Sequence, residues 1–262
     1  MIDIINAQKE FTNYASGYNI EVPRIKLKYD HILRVMDNAG KIAQKLNLND
    51  EDINLAMLIG LFHDIGRFEQ VRLYDTFSDK DTGLDHAAYS VKVLYEDGLI
   101  KNFIDTDKYD NIIKKAVFYH NKKEIGKEVT DERELLFCKI IRDADKLDIF
   151  KVINEEEMSS VFWYKDFSNL EVNPKLMEDF KALKLIDYKD IKNNADQIFT
   201  FYNYVLDFNY VASLLIIKEK GYLISFAKRV EDTFKNEKIT KMTKEILDIS
   251  NCYIENKLRQ ND

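Results

Sequence analysis

The four histidines of the chain are the residues whose chemistry stands out first. They are His31, His63, His86 and His120. His63 is followed directly by Asp64, and this pair ends the apolar run LIGLF, residues 58–62. Because a polar group that leaves water without a partner costs about 1–3 kcal/mol, the pair needs a partner in the folded chain. A metal ion is one candidate.

Neutral imidazole and carboxylate groups both bind divalent metals, but adjacent residues of one helix cannot surround an ion. Four helices that each contribute one histidine could do so. Further carboxylates are available in RDADKLD, residues 142–148, where Asp143 and Asp145 flank Ala144. Each aspartate lies about 100° from Ala144 around a helix, so periodicity alone does not choose between them. A single helix histidine is more often structural than a ligand, and it is the joint pattern that favours a metal site.

The elements that must position these groups are helices. Apolar residues recur every three or four positions through residues 25–43, which predicts an amphipathic helix carrying His31. Asn49 or Asp50 can cap a second helix, which we expect to run to Gly66, a residue type common at helix ends. A loop is expected from about residue 67 to residue 84.

Further helices carry the remaining histidines. Asp85 can cap a third helix with His86 in its first turn, and a fourth places His120 on its apolar face. Asp131 has capping-box spacing to Glu134 at the start of a fifth helix. Three further helical stretches are expected after Pro174.

Bulk composition excludes several classes of protein. A net charge of -7 argues against an extended nucleic-acid surface, because replacing phosphate counterions needs a basic face. The two cysteines lie far apart and MIDIINAQKEF lacks the apolar core of a secretory signal, so we expect a reducing, cytoplasmic location. Asp207 divides the most apolar segment, residues 197–217, which therefore indicates a buried core helix and no membrane interaction. Its many aromatic residues suggest core packing, with a homodimer interface or nucleobase stacking as alternatives.

These elements together resemble the HD-domain metal-dependent phosphohydrolase superfamily. The resemblance depends on His31 in a helix, the His63-Asp64 dipeptide ending the next helix, and Asp145 in an Ala-Asp-Lys-Leu-Asp context. The segment GRFEQVRLYDTFSDKDTGLDHA is similar to that of uncharacterised bacterial HD-domain proteins. The resemblance implies an all-α HD helical bundle with a helical C-terminal extension. We expect the HD core over residues 24–150, an N-terminal helical segment over 1–23, and an extension over 151–262 that packs on the core or belongs to the same domain.

The resemblance also implies a ligand set. Its first ion would be held by His31, His63, Asp64 and Asp145. In binuclear branches of the family two more histidines lie between the His-Asp pair and the last aspartate, and His86 and His120 match that order as ligands of a second ion, with Asp64 bridging. The implied cofactor is one or two divalent ions, and imidazole with carboxylate does not distinguish Mn, Fe, Zn, Co, Ni or Mg.

The implied activity is hydrolysis of a phosphate ester in a small phosphorylated substrate, with a nucleotide as a candidate, by hydroxide formed at the metal. Besides Asp64, Arg67 and Lys146 are candidate catalytic residues that would reach a substrate phosphate, and the alternative for both is a solvated surface cation. Asp148 could orient a ligand. The segment after His120 lacks the Gly-Tyr-Pro signature of cyclic-dinucleotide phosphodiesterases. Two other hypotheses keep the ligand set, namely an HD-type di-iron oxygenase and a non-catalytic metal-stabilised binding or signalling module.

Overall fold

The chain folds into helices joined by turns and short irregular segments. A computed structural model describes residues 2–260, and no β-strand occurs in that range, so the predicted all-α class is confirmed. The α-helices are α1 (Ile4–Ser16), α2 (Pro23–Lys45), α3 (Asp50–Phe62), α4 (Arg67–Tyr74), α5 (Asp79–Thr82), α6 (His86–Tyr95), α7 (Asp110–Tyr119), α8 (Glu132–Glu155), α9 (Met158–Val161), α10 (Pro174–Lys181), α11 (Asn194–Asn203), α12 (Val211–Lys220), α13 (Tyr222–Phe234) and α14 (Glu237–Arg259). Short 3-10 helices span Leu99–Asn102, Tyr188–Asp190 and Tyr204–Asp207.

Two compact units make up the chain, with the division between Asp148 and Ile149. The first unit contains all four histidines and the two aspartates Asp64 and Asp145. Its core is formed by aliphatic and aromatic side chains that are fully buried, such as Ile32, Leu58 and Phe62. The residues that could do metal chemistry therefore belong to a single packed unit.

Helices α2 and α3, which run side by side in the first unit, approach each other closely at Gly60. A Cβ atom added to Gly60 would lie 2.6 Å from the Cα atom of Met36 on α2. Only a residue without a side chain allows that backbone contact. The contact fixes α3 against α2 three residues before His63 and five residues after His31 in the sequence.

Three helix starts follow the predicted caps. Asn49 accepts a hydrogen bond from the amide of Asp52, Asp85 accepts from Ala87 and Ala88, and Asp131 accepts from Glu134. Side-chain caps of this kind satisfy amides that have no partner inside the helix. The predicted starts of α3, α6 and α8 are thus confirmed.

The predicted end of α3 at Gly66 is wrong. The helix ends at Phe62, and Gly66 has a right-handed φ of -70° just before α4. A Cβ atom at Gly66 would lie 2.8 Å from the backbone nitrogen of Ser90, whose hydroxyl accepts a hydrogen bond from the Gly66 amide. This glycine is therefore needed for close approach to α6 and not for stopping a helix.

Two further expectations are corrected. The predicted loop over residues 67–84 contains α4 and the short α5. Residues 174–260 contain five α-helices where three stretches were expected, and residues 197–217 form parts of α11 and α12 instead of one core helix. All ten residues of α11 are buried, including its polar residues, so no side of this helix faces solvent.

The second unit is organised around the buried polar side chains of α11. Gln197 accepts a hydrogen bond from the amide of Trp163, and Asn194 accepts one from the amide of Tyr164. Asp196 accepts from the amides of Lys192 and Asn173. These bonds satisfy the backbone of irregular segments, which would otherwise lose hydrogen bonds on burial.

Within residues 2–260, no helix is both long enough and apolar enough to cross a bilayer.

Candidate metal centre

The four histidines meet in the first unit although they come from four different helices. His31 lies within α2, His63 and His120 directly follow α3 and α7, and His86 is the first residue of α6. The Nε2 atoms of His31 and His63 are 3.2 Å apart, and those of His86 and His120 are also 3.2 Å apart. The prediction that every histidine lies on a helix or helix end is confirmed.

Each imidazole is held by its Nδ1 atom. That of His63 lies 2.8 Å from the carbonyl oxygen of Gly60, and that of His120 lies 2.7 Å from the carbonyl oxygen of Val117. For His31 and His86 the partners are carboxylates, Asp148 at 2.7 Å and Asp79 at short range. An Nδ1–H donated to such an oxygen leaves Nε2 with a lone pair, which is the form that binds a metal.

Asp64 lies between the two histidine pairs. Its Oδ2 atom is 3.7 Å from the Nε2 atoms of both His31 and His63. Its Oδ1 atom is 3.5 Å from Nε2 of His86 and 3.6 Å from Nε2 of His120, and it is buried with no hydrogen-bond partner. The two oxygens of one carboxylate therefore face two separate pairs of imidazoles.

Asp145 completes the group around His31 and His63. Its Oδ1 atom lies 3.3 Å from Nε2 of His31 and 3.9 Å from Nε2 of His63. Asp143, on the same helix, is buried elsewhere and belongs to none of the potential metal-binding groups in the described residues. Two residues apart on a helix differ by about 200° in direction, so only one of these aspartates can face the histidines.

The residues present fit a divalent ion in each half. Two nitrogens that bind one ion at ~2.1 Å are ~3.0 Å apart at a right angle and ~3.4 Å apart in a tetrahedron. The separation of 3.2 Å in both histidine pairs falls between these values. The unpartnered Oδ1 atom of Asp64 between two imidazoles is also explained if a cation binds there. Potential metal-binding groups in the described residues are His31–His63–Asp64, His63–His120–Asp145, Asp64–His86–His120 and Asp79–Asp85–His86.

Burial keeps two of the imidazoles neutral. Desolvation lowers the pKa of His63 to about 3 and the pKa of His86 to about 4, against an ordinary value near 6.5. A metal competes with protons for imidazole, so a ring that stays neutral well below pH 7 is ready to bind one.

The two acidic groups are ionised. Burial by itself would raise the pKa of Asp64, but the charge of Lys28 and neighbouring groups holds that pKa well below its usual value. Burial opposes ionisation of Asp145 in the same way, but the hydrogen bond with His31 and the electrostatic effect of His31 and the other nearby histidines together outweigh it, so the pKa of Asp145 is also lowered. The first ion would thus meet two carboxylates that already carry charge.

Two cationic side chains contact the Asp64 carboxylate, one at each oxygen. Lys28 donates a 2.7 Å hydrogen bond from Nζ to Oδ2, and Arg67 has its Nε atom 3.4 Å from Oδ1. Lys28 was not among the residues that the sequence pattern indicated. Its position three residues before His31 on the same helix puts both residues on one face, and this spacing is the signal that could have identified it.

The two predicted catalytic cations have different surroundings. Arg67 donates from NH1 to Gln70, to the carbonyl oxygen of Phe77 and to Asp79, and its side chain is 12% exposed. Lys146 is half-buried on α8 beside Asp145. The structure brings Arg67 to the Asp64 carboxylate, while Lys146 points about 100° away from its neighbour Asp145 around the helix.

A second layer of side chains surrounds the six candidate ligands. Asp148 contacts His31 and also accepts hydrogen bonds from Arg34 at 2.5 and 2.9 Å. Asp79 holds His86 and Arg67 together. No pattern in the sequence pointed to Asp79, because its role depends on the placement of the short helix α5, which it begins.

The end of α7 is fixed by Arg142 from α8. This buried arginine donates from NH1 to the carbonyl oxygens of Tyr119 and Lys122, and from NH2 to that of Lys123. Carbonyls at a helix end have no partner inside the helix, so Arg142 satisfies them and thereby positions His120.

Comparison with known proteins gives one match. Residues 29–149 match a family model described as HD domain. The matched segment contains all six candidate ligands. No curated protein and no solved structure shows a significant match to the chain.

Proposed function

Because residues 29–149 form an HD domain, we propose that this protein is a metal-dependent phosphohydrolase that cleaves a phosphate ester of a small molecule, with a nucleotide as a candidate substrate. One observation carries the proposal. Four Nε2 atoms from four helices surround both oxygens of the buried Asp64 carboxylate, at 3.5 to 3.7 Å. Imidazole and carboxylate groups that converge in this way are ligand types that bind divalent ions, and metal-dependent hydrolysis is the chemistry typical of the HD superfamily.

In this proposal six residues hold the metal. His31, His63, Asp64 and Asp145 would hold one ion, and Asp64, His86 and His120 would hold a second. Divalent ions in such a site lower the pKa of coordinated water toward 7 and offset the charge that builds on phosphoryl oxygens. The donor set does not select among Mn, Fe, Zn, Co, Ni and Mg.

The chain itself supplies orientation and charge. Asp148, Asp79 and two backbone carbonyls fix the direction of the four imidazoles, so the Nε2 atoms need no rearrangement when an ion binds. Arg67 and Lys146 are the cations proposed to meet the substrate phosphate. The NH1 atom of Arg67 donates hydrogen bonds to the carbonyl oxygen of Phe77 and to Asp79. These hydrogen bonds would hold the guanidinium group in one place when a substrate binds.

Phosphate release from a panel of phosphomonoesters, phosphodiesters and nucleotides tests the proposal. The protein would be loaded separately with each ion, and we expect release from at least one ester, loss of release with EDTA, and loss in the Asp64→Asn variant. Asp30→Asn is the matched control, since Asp30 also lies on the first unit but pairs with the exposed Lys26.

Two experimental outcomes would contradict the phosphohydrolase proposal and support one of the two other functions that use the same six candidate metal ligands. Iron retained through aerobic purification, with oxygen consumed in the presence of a small polyol or phosphonate and no phosphate released, would indicate an oxygenase. Measurable binding of one ester without any turnover would indicate a binding module.

A further inference from the structure

We propose that Lys28 is a partner-exchanging cation: its ammonium neutralises Asp64 when the centre lacks metal, and metal loading releases it to bind a phosphate group. The phosphate half of this inference rests on the proposed phosphohydrolase function. The exchange concerns one side chain of α2 and does not alter the six candidate ligands.

The first step is competition for one oxygen. Lys28 donates to Oδ2 of Asp64 at 2.7 Å, and the same oxygen lies 3.7 Å from the Nε2 atoms of His31 and His63. An ion bound between those imidazoles would draw on this oxygen. The Lys28 ammonium and the metal ion would then both contact the same buried oxygen, where the repulsion between two positive charges is only weakly screened. Metal binding therefore favours departure of the ammonium.

The second step is that Lys28 can move while Arg67 cannot. Arg67 is held at NH1 by three acceptors. Lys28 has its ammonium on a flexible four-carbon stem, and its side chain is 17% exposed, so it has a route toward solvent. The two oxygens of Asp64 are thus neutralised by one fixed and one releasable cation.

The third step is where the ammonium goes. The ring of Phe77 lies with its centroid 5.3 Å from Nζ, close enough for a cation–π contact that keeps the charge near the centre. A phosphate at the centre brings negative oxygens to the side that the ammonium has left, and a charge-assisted hydrogen bond is the strong interaction available there. Lys28 would accordingly weaken metal binding and strengthen phosphate binding.

Opposite effects on two affinities make the inference testable. Calorimetry would measure Mn²⁺ binding to metal-free protein and inorganic phosphate binding to Mn²⁺-loaded protein. In Lys28→Met we expect Mn²⁺ to bind at least about tenfold tighter, because Asp64 loses its counter-cation, and phosphate to bind about tenfold weaker. Lys28→Arg should keep phosphate binding nearer to that of the unchanged protein.

Lys26→Met is the matched control. Lys26 lies on the same helix, two residues earlier, and pairs with Asp30 in an exposed position. Both affinities should stay within about twofold of the unchanged protein, since an exposed pair of this kind contributes little. A purely structural role for Lys28 would lower both affinities in Lys28→Met.

Equal or weaker Mn²⁺ binding in Lys28→Met, or unchanged phosphate binding, would overturn the inference. The outcome is distinguishable from failure of the proposed function. If both affinities change as expected but no ester is hydrolysed, the exchange by Lys28 is supported and the proposed phosphohydrolase function is not. If the unchanged protein hydrolyses an ester but Lys28→Met has the same two affinities as the unchanged protein, the proposed function is supported and the exchange by Lys28 is not.

Discussion

Asp148 contacts the Nδ1 atom of His31 at 2.7 Å, while Asp145, three residues earlier on α8, lies 3.3 Å from the Nε2 atom of the same ring. The two nitrogens of one imidazole are therefore held by two carboxylates from one face of one helix. Residues three apart share a face, so α8 can supply one carboxylate to the proposed metal and another to orient its ligand.

Asp148→Asn should weaken metal binding about 10- to 100-fold, because loss of an orienting carboxylate typically has that effect on a histidine-bound metal. Metal titration followed by calorimetry measures it. Asp30→Asn is the control, since Asp30 lies on the same helix as His31 but pairs with the exposed Lys26. Equal affinities for Asp148→Asn and the unchanged protein would contradict the orienting role.

The two halves of the centre should lose metal separately. His86→Gln is expected to retain one ion per chain and His31→Gln to retain the other, whereas Asp64→Asn should lower the occupancy of both, because each Asp64 oxygen faces one pair. Elemental analysis after dialysis gives ions per chain. If His86→Gln retained as many ions as the unchanged protein, a second ion at His86 and His120 would be ruled out.

Gly60→Ala should lower the free energy of unfolding by about 2 kcal/mol or more, as expected for overpacking. The added Cβ would meet the backbone of Met36 at 2.6 Å, and backbone cannot yield. Gly40→Ala is the matched variant on α2, because its Cβ would meet only the flexible side chain of Met57, at 2.9 Å. Urea unfolding compares them. A Gly40→Ala protein as unstable as Gly60→Ala would show that the backbone contact is not the cause.

Arg142→Met should destabilise the protein by about 2 kcal/mol and weaken the ion at His86 and His120 more than the ion at His31 and His63. The substitution removes the hydrogen bonds from Arg142 to the carbonyl oxygens of Tyr119 and Lys122, and a hydrogen bond that involves a charged group contributes about 1.5–3 kcal/mol. Unfolding curves and metal titrations measure the two effects. Equal weakening at both halves would argue against a specific action through His120.

The sequence by itself determined the class of fold, the order of the histidines and three of the helix starts. Local signals suffice for these, because a cap such as Asn49 or Asp85 acts on amides within three residues. The repeat of apolar residues predicted α2 for the same reason, because the residues that face the core recur every three to four positions in the sequence. The sequence also showed that Asp64 directly follows His63, but it did not show which side chains each of the two would contact.

Only the tertiary structure decided which groups share a site. Helical periodicity relative to Ala144 does not distinguish Asp145 from Asp143. The resemblance to the HD superfamily favoured Asp145, and the packing of α8 places its Oδ1 atom 3.3 Å from His31. The contact of Lys28 with Asp64 joins residues 36 positions apart, and no local rule specifies such a distance. Residues 197–217 were expected to form one helix because the segment that divides them, residues 204–210, contains no proline or glycine to mark a break. Periodicity assigns a residue to a face, and only packing determines what that face meets.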